Sequence, residues 1–244
     1  MRVGFIGAGN MAAALARGWG EPVLCTDSGS GRAARLVEEL GGEALTNREL
    51  VERAELVILA HKPGQLQEVA AEISEHARGI VVSILARATV AEVQAAYPHA
   101  TVFRVEPNTP VELRRGVLAF AASDAPGVDE VKALFARVGT VVEIPEKLMG
   151  VAGAISGVGP AYWALFAEAW TDAAVRHGMP AAQAATLVRE TMAGTAELLG
   201  RTDTLALRRG VTSPGGTTAR GLNALEHGGV RAALADALDA VVEG

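Results

Sequence analysis

A glycine-rich turn near the start of the chain constrains its fold more than any other feature. The apolar run Val3–Ile6 predicts a short buried strand, and it leads directly into G-A-G-N-M-A at residues 7–12 and then into a helical pattern. This order of strand, G-x-G-x-x-A turn and helix suits the pyrophosphate of a dinucleotide. Gly7 permits the tight turn, Gly9 admits phosphates to the backbone, and Ala12 lets the helix pack on its strand. A glycine turn with a purely steric role is the alternative.

Beyond this turn, short apolar runs alternate with amphipathic segments as far as about residue 140. Strand patterns occupy residues 2–6, 23–26, 56–60, 80–84, 101–105, 117–122 and 140–144. Helical patterns occupy residues 32–40, 47–53, 65–74, 90–96 and 128–138. Most of the strand runs lack strict alternation of apolar and polar residues, which is typical of strands covered on both faces. Alternating strands and helices of this kind predict a doubly wound parallel α/β sheet.

The character of the chain changes after Pro145. Alanine-rich helical segments dominate, with Pro160 at an expected helix start and Gly200 at an expected helix end. We therefore expect a dinucleotide-binding domain over residues 1–147 and an all-helical domain over residues 148–244.

One segment of the helical half, residues 161–175, is apolar on nearly all sides. Such a helix must be buried on most faces, and a small helical domain cannot cover it alone. We therefore expect the second domain to share its core with another subunit. The charge-free stretch 148–167 is long enough to span a bilayer. Its glycines and Pro160 favour a loop that leads into a buried helix instead, so we expect no membrane contact.

Charge and cysteine content exclude several classes of function. The net charge of −6 and the absence of a basic cluster argue against a nucleic-acid partner. Cys25 is the only cysteine, so one chain can form neither an internal disulfide nor a thiolate metal site. The five histidines have no metal-ligand spacing, and we expect no metal. The start of the chain does not resemble a secretory signal, and a reducing cytoplasm fits.

Two interpretations remain open for the segment after the second predicted strand. Asp27 stands where a carboxylate would accept hydrogen bonds from a ribose 2′-OH, which favours NAD over NADP. Ser28, Ser30 and Arg32 follow at once, and hydroxyls with a guanidinium group suit a 2′-phosphate. Asp27 or Ser28 can also simply cap the next helix.

Two further turns follow predicted strands at the carboxyl edge of the sheet, where ligands bind in such folds. The turn at residues 61–64 carries Lys62, which either contacts cofactor ribose or phosphate or is a solvated lysine. The turn at residues 104–110 holds Asn108 between two prolines that fix φ. It can position a nicotinamide or a substrate, or it can be a plain stiff turn.

The segment V-T-S-P-G-G-T-T at residues 211–218 lies between helical patterns. Its two glycines allow several N–H groups to converge, and hydroxyls surround them. This arrangement suits a small carboxylate at a helix start. An interhelical loop of small residues is the alternative, but such a loop does not ordinarily need so many hydroxyls.

Taken together, these motifs resemble the pyrroline-5-carboxylate reductase family. The resemblance covers essentially the whole chain in order, through G-x-G-N-M, K-P-G, R-V-x-P-N-T-P, S-G-x-G-P-A-Y and S-P-G-G-T-T, of which the last is the most specific. It implies NAD(P)H-dependent reduction of the C=N bond of 1-pyrroline-5-carboxylate to L-proline, the last step of proline synthesis. It also implies a Rossmann-type domain followed by a helical domain that interlocks with its partner in a dimer, sometimes assembled into a decamer.

The resemblance also implies which residues bind the cofactor. Asn10, Met11 and Ala12 would lie at the pyrophosphate, Lys62 and Pro63 beside the nicotinamide-side ribose, and Asn108 at the nicotinamide end. The sequence motifs add Gly7, Gly9, Asp27, Ser28 and Arg32. Between the two cofactors, the resemblance favours NADPH over NADH.

For the substrate, the resemblance implies that Ser213, Gly216 and Thr217 hold the carboxylate and that Thr218 reaches the ring nitrogen. Thr218 is therefore the expected catalytic residue. A ring C=N that is already protonated in solution accepts hydride once it is correctly placed. Proximity and orientation then supply most of the catalysis, and the cofactor supplies the chemistry.

Four residues depart from the family's pattern. Leu85 and Arg87 stand in a segment where the family has small residues and a glycine, Glu106 replaces an apolar residue, and Val158 replaces a small one. These changes put substrate identity and turnover in doubt. The alternatives are a reductase of another cyclic imine or of a small keto or hydroxy acid, and a nucleotide-binding regulator that has lost catalysis.

Overall fold

The computed structural model describes residues 1–243, and its strands belong to one sheet. The strands are β1 Val3–Ile6, β2 Val23–Thr26, β3 Gly42–Ala44, β4 Leu56–Leu59, β5 Ile80–Ser83, β6 Thr101–Pro107, β7 Gly116–Ala121 and β8 Gly139–Ile144. Their order in the sheet is β3-β2-β1-β4-β5-β6-β7-β8. The chain thus moves outward from β1 in one direction and then returns to build β4 on its other side. Ligands bind in such sheets at the point where the strand order reverses.

Helices connect the strands and then form the rest of the chain. In the first part they are α1 Asn10–Trp19, α2 Arg32–Leu40, α3 Asn47–Arg53, α4 Leu66–Ile73, α5 Val90–Ala96 and α6 Val128–Ala136. Beyond the sheet they are α7 Met149–Ala152, α8 Gly159–Arg176, α9 Ala181–Leu199, α10 Thr204–Gly210, α11 Thr217–His227 and α12 Val230–Glu243. A short π-helical turn, Gly153–Gly157, separates α7 from α8.

The sheet is buried on both faces. Alternate residues of one strand enter different cores: Phe5 and Ile58 pack with α1, α2 and α6, whereas Ile6 and Leu59 pack with α3, α4 and α5. This explains the continuous apolar runs of these strands, since both sides of each strand need apolar residues. The predicted α/β sheet with helices on both faces is confirmed.

Local sequence sets where several helices begin and end. Helices α3 and α5 begin with matching capping boxes, in which Thr46 pairs with Glu49 and Thr89 pairs with Glu92. Helix α1 ends at Gly20, whose φ of +67° lies in the left-handed region. These residues fix the positions of the loops at the sheet edge.

Two details of the sheet differ from the sequence prediction. Strands β6 and β7 pair antiparallel, so the sheet is not parallel throughout. Only the short turn Thr109–Leu113 and its flanking residues join them, and a parallel pair needs a crossover of a dozen or more residues. The strand β3 was not predicted, because its three residues are exposed and carry no apolar pattern.

Contacts divide the chain into two compact units, Met1–Pro160 and Ala161–Gly244. The predicted change of character at residue 147 lies within the first of these units, and the domain boundary at 147 stays a prediction. In the part of the second unit that the structure describes, all the regular secondary structure is helical.

The apolar helix α8 is largely exposed within one chain, and its expected burial against another subunit stays a prediction. Trp163 and Trp170 are 63% and 58% exposed, and Leu165 and Phe166 are exposed beside them. Among the described residues, the helical stretch Glu146–Arg176 is also long and apolar enough to cross a membrane. The apolar surface of α8 therefore needs a cover that a single chain does not provide.

Candidate functional site

The turn between β1 and α1 is held in place by the two neighbouring strands. Gly7 has a φ of +103°, and a Cβ there would come within 2.8 Å of the Ala60 carbonyl oxygen, so only glycine fits. Its N–H donates to Thr26 Oγ1 at 3.3 Å. Thr26 is a buried residue at the end of β2, and sequence reasoning missed this role because its hydroxyl is indistinguishable from any other at a strand end.

Neither its backbone conformation nor a contact within the chain requires residue 9 to be glycine. Its φ of −72° is ordinary, and a Cβ there would find no atom nearer than the Ala60 oxygen at 4.0 Å. The first bond within α1 runs from the Ala13 N–H to the Gly9 carbonyl, so the N–H groups of Asn10, Met11 and Ala12 have no partner within the helix. Open space at Gly9 beside free N–H groups fits an anionic group such as a pyrophosphate.

A cavity of about 440 Å³ lies at the carboxyl ends of β1, β2 and β4. It brings together most of the predicted cofactor residues from three separate loops. Its walls include Gly7, Gly9, Asp27, Ser28, Arg32, Lys62 and Pro63. A second cavity, of about 460 Å³, lies at the opposite edge of the sheet near Met1 and Trp19, away from these residues.

The Asp27 carboxylate is occupied by its own loop. It accepts hydrogen bonds from the Gly29 N–H at 2.7 Å, the Ala33 N–H at 2.8 Å and the Ser30 hydroxyl at 3.2 Å. The bond from Ala33 is the largest cause of a pKa for Asp27 below its ordinary value. Asp27 therefore caps the start of α2, and a contact with a ribose stays a prediction.

The loop after Asp27 turns its polar groups toward solvent. Gly29 and Gly31 have φ angles of +88° and +71°, which give the loop its sharp bends. Ser28, Ser30 and Arg32 are exposed at the rim of the cavity. This part of the loop can hydrogen bond to a phosphate without any rearrangement of Asp27.

The loop after β4 adds a histidine to the predicted lysine and proline. Lys62 is exposed at the start of the short turn Pro63–Gln65. His61 Nδ1 lies 2.9 Å from the Lys62 carbonyl oxygen, and its buried Nε2 has no partner among the described residues. Burial lowers the pKa of His61 below its ordinary value, so the ring is neutral at physiological pH. No sequence pattern distinguishes His61 from an ordinary polar residue at a strand end.

The side chain of Asn108 links two backbone segments by hydrogen bonds and is not open to a ligand. Its Oδ1 accepts from the Val117 N–H at 2.7 Å, and its Nδ2 donates to the Ser156 carbonyl at 3.1 Å. The residue is buried, with 7% of its surface exposed. Its predicted place at the nicotinamide end stays a prediction, and both ends of its side-chain amide form hydrogen bonds within the chain.

Glu106, one of the departures from the family pattern, is compensated by a buried arginine. Arg104 Nη2 lies 2.5 Å from Glu106 Oε1, and Arg104 Nη1 lies 3.6 Å from Glu146 Oε1. Gly153 makes room for this carboxylate, because a Cβ there would overlap Glu106 Oε2. Glu146 in turn accepts from the Val90 N–H at 2.5 Å. The charge of Glu106 is thus balanced by Arg104 within the first unit.

The departures at residues 85 and 87 are also accommodated. Leu85 points into the core packed with α4 and α5 and is only 1% exposed, so its bulk is directed into the core. Arg87 has a φ of +65°, a conformation in which glycine is favoured. The backbone therefore keeps a glycine-like bend at residue 87 although the side chain is long.

The segment 211–218 forms the start of α11 in the second unit. Gly216 is the N-cap residue, its N–H donates to the Ser213 carbonyl at 3.0 Å, and Gly215 bends the chain with a φ of +69°. The first bond within the helix runs from Arg220 to Gly216, which leaves the N–H groups of Thr217 and Thr218 without a partner in the helix.

The hydroxyl of Thr212 donates to the Arg208 carbonyl at 2.6 Å, so it is not one of the free donors at the start of α11. Ser213 and Thr217 are exposed, and Thr218 is half-buried. Among residues 1–243, no group of three or more His, Cys, Asp or Glu side chains is arranged to hold a metal ion.

Comparisons with known proteins find matches for both ends of the chain. Residues 146–244 match the family model for pyrroline-5-carboxylate reductase dimerisation, and residues 2–87 match the model for NADP oxidoreductase, coenzyme F420-dependent. The pyrroline-5-carboxylate reductase of Synechocystis sp. is 40% identical over 200 residues, which are 80% of this chain and 75% of that protein. The enzyme of the same name from Thermus thermophilus is 37% identical over 98% of this chain and 95% of its own.

A solved structure gives the same result for the fold. The crystal structure of Plasmodium falciparum pyrroline carboxylate reductase with NADP bound superposes with a TM-score of 0.89 at 28% identity. The match covers all of this chain and 96% of that one.

Proposed function

Because the chain belongs to the pyrroline-5-carboxylate reductase family, we propose that it reduces the C=N bond of 1-pyrroline-5-carboxylate to give L-proline. The observation that carries this proposal is the match to a reductase of that name over 98% of the chain. The chain carries both the phosphate turn at residues 7–12 and the segment Ser213–Thr218, which are the parts that the reaction needs.

The cofactor is a nicotinamide dinucleotide, held at the turn between β1 and α1. The free N–H groups of Asn10, Met11 and Ala12 receive the pyrophosphate, and Gly9 lets it approach the backbone. Lys62 and Pro63 line the same cavity and contact the nicotinamide-side ribose. When bound, the cofactor supplies the hydride.

Of the two cofactors, NADPH is the one that this cavity favours. Asp27 is the residue that would select NADH, but its carboxylate is engaged by three donors of its own loop. Ser28 and Arg32 are exposed at the cavity rim and free to bind a 2′-phosphate.

The substrate carboxylate binds at the start of α11. Backbone N–H groups of a helix start bind one small anion well, and the hydroxyls of Ser213 and Thr217 stand beside them. Gly216 has no side chain to block the approach. The hydroxyl oxygen of Thr218 then accepts a hydrogen bond from the protonated ring nitrogen.

This arrangement needs no general acid. The ring nitrogen of a pyrroline is protonated in solution, so the positive charge that makes the carbon electrophilic arrives with the substrate. The work of the protein is to hold the carboxylate and the nitrogen in one orientation and to exclude other geometries.

The active form is a homodimer that acts in the cytoplasm, without a membrane. The exposed aromatic residues of α8 give a second copy of the chain an apolar surface to cover, and this helix lies within the residues that match a dimerisation domain. Further assembly into a decamer is an addition from the family resemblance.

The direct test is oxidation of NADPH by the purified protein when pyrroline-5-carboxylate is added. Proline must appear in equal amount to the NADPH consumed. Turnover of another cyclic imine, or of a small keto acid, in place of pyrroline-5-carboxylate would overturn the proposed substrate. Binding of NADPH without turnover of any of these would favour a regulator instead.

A further inference from the structure

Two arginines on α2 have no acidic partner among the described residues. Arg32 and Arg35 are exposed, and no carboxylate lies within ion-pair distance of either guanidinium group. The neighbouring Arg17 is different, because it pairs with Glu39 at 2.7 Å and with Glu112 at 3.5 Å. The chain as a whole carries a net charge of −6.

These two arginines line one groove between α1 and α2. The groove has a volume of about 480 Å³, and its acidic residues are Glu39 and Glu112. Both of these glutamates are committed to Arg17. The three arginines of the groove, Arg17, Arg32 and Arg35, outnumber its two glutamates, so its net charge is +1.

The groove meets the cofactor cavity at the phosphate turn. Ala8, Gly9 and Arg32 line both of them, so Arg32 stands on the ridge between the two. A group attached to a nucleotide in the cavity can reach the groove across this ridge.

The side chain of Arg35 is folded back toward the same loop. Its Nη1 lies 3.8 Å from the position that a Cβ of Gly31 would occupy. Gly31 has no side chain, so this guanidinium group lies close to the backbone of the loop that carries Ser28 and Ser30. The only carboxylate of that loop, on Asp27, is occupied by its three hydrogen bonds.

We propose that Arg35 is a second cation for the 2′-phosphate of NADPH, acting together with Arg32, and that it determines the choice between NADPH and NADH. Arg32 approaches the phosphate from the cavity and Arg35 from the groove. A doubly charged phosphate at an exposed site gains most from charge-assisted bonds with two guanidinium groups. This inference rests on the proposed use of NADPH.

The test compares the binding of 2′,5′-ADP with that of 5′-AMP, because the two nucleotides differ only in the 2′-phosphate. Calorimetric dissociation constants are measured on the full-length protein and on Arg35→Gln, Arg35→Lys and Arg78→Gln. Arg78 is an exposed, unpaired arginine that precedes β5 at the opposite edge of the sheet, which makes Arg78→Gln a matched control.

In the wild type, 2′,5′-ADP should bind more tightly than 5′-AMP. Arg35→Gln should reduce this preference by roughly tenfold or more, since one charge-assisted hydrogen bond is lost. Arg35→Lys should restore part of the preference, and Arg78→Gln should leave it unchanged. The preference of the wild type should also fall more steeply with added salt than that of Arg35→Gln.

Three results would overturn the inference, and they are distinguishable. If Arg35→Gln keeps the full preference, Arg35 has no role while the use of NADPH stands. If the wild type binds the two nucleotides equally, the proposed use of NADPH is wrong as well. If neither nucleotide binds, the dinucleotide site itself is wrong.

Discussion

The side-chain amide of Asn108 donates a hydrogen bond to the carbonyl of Ser156, at 3.1 Å between nitrogen and oxygen. The Oδ1 atom of the same amide accepts a hydrogen bond from the Val117 N–H. One buried side chain therefore links the end of β6, the start of β7 and the π-helical turn Gly153–Gly157. The position of that turn depends on a residue that lies far from it in the sequence.

Replacing Asn108 with alanine should destabilise the first unit. The Val117 N–H and the Ser156 carbonyl would lose their partner in a buried setting, which costs about 1–3 kcal/mol for each group. Urea unfolding measures the loss, and Asn47→Ala is a control because the half-buried Asn47 forms a solvent-exposed hydrogen bond to Glu72. An unfolding free energy equal to that of the wild type would contradict the bracing role.

Gly7 and Gly9 should respond differently to valine. Gly9→Val should remain folded, since a Cβ there meets no atom nearer than 4.0 Å, but it should lose dinucleotide binding because the side chain occupies the space for phosphates. Gly7→Val should be destabilised by strain at positive φ and by overlap with the Ala60 carbonyl. Circular dichroism and NADPH fluorescence titration separate the two effects. Normal NADPH affinity in folded Gly9→Val would exclude the turn as the phosphate site.

The cofactor half of the molecule is readable from sequence because its signals are local. The strand, the glycine turn and the helix of residues 3–19 are contiguous, and each residue type follows from the φ angle or the space that the turn requires. The hydrogen-bond partner of the Asp27 carboxylate is harder to predict. The carboxylate can turn toward a ribose or toward Ala33, and only the folded loop, with bends at Gly29 and Gly31, decides between them.

Asp27 should make the protein lose stability in acid. Its pKa is below the ordinary value in the folded state, chiefly through the bond from Ala33. The stabilisation is therefore complete above the unfolded pKa of about 3.9 and is lost as pH falls through the lower folded pKa. The difference in unfolding free energy between wild type and Asp27→Asn should be constant near neutral pH and shrink below about pH 4.

The matched control is Asp124→Asn, because Asp124 is exposed and its carboxylate accepts no hydrogen bond among the described residues. Its difference from wild type should stay small across the same range. If the difference in unfolding free energy between wild type and Asp27→Asn widens in acid, the hydrogen bonds that Asp27 accepts at the start of α2 are absent in solution.

The protein should be a dimer in solution through the second unit. Trp170 is 58% exposed on α8, and Trp170→Glu places a charge where the partner should cover it. Light scattering at micromolar concentration should give a dimer mass for the wild type and a smaller mass, or aggregation, for Trp170→Glu. Leu113→Glu is the control, since Leu113 is 77% exposed in the first unit. A folded wild-type monomer would refute the prediction.

Other features could not be predicted because they depend on distant residues. Leu85 is a departure from the family pattern in sequence, yet the fold turns it into the core, where its bulk has apolar neighbours. Glu106 is tolerable only because Arg104 lies two residues away on the same strand and Gly153 leaves space from another segment. Strand β7 is antiparallel to β6 because the connection between them is short. The pattern of apolar residues predicts strands but does not reveal their direction.

Thr218 provides the sharpest test of the substrate site. The residue is the second of α11 and is half-buried. Thr218→Ala removes one hydrogen bond to the ring nitrogen, worth about 0.5–1.5 kcal/mol if neutral and more if charge-assisted. We expect kcat/KM for pyrroline-5-carboxylate to fall roughly tenfold or more, because each 1.4 kcal/mol is a factor of about ten. The control is Thr204→Ala, which replaces an exposed threonine at the start of α10 and should keep wild-type kinetics.

Proline should compete with the substrate in the wild type, because its carboxylate binds the same N–H groups at the start of α11. Normal turnover by Thr218→Ala together with no competition by proline would remove the carboxylate site and leave a nucleotide-binding regulator as the better interpretation.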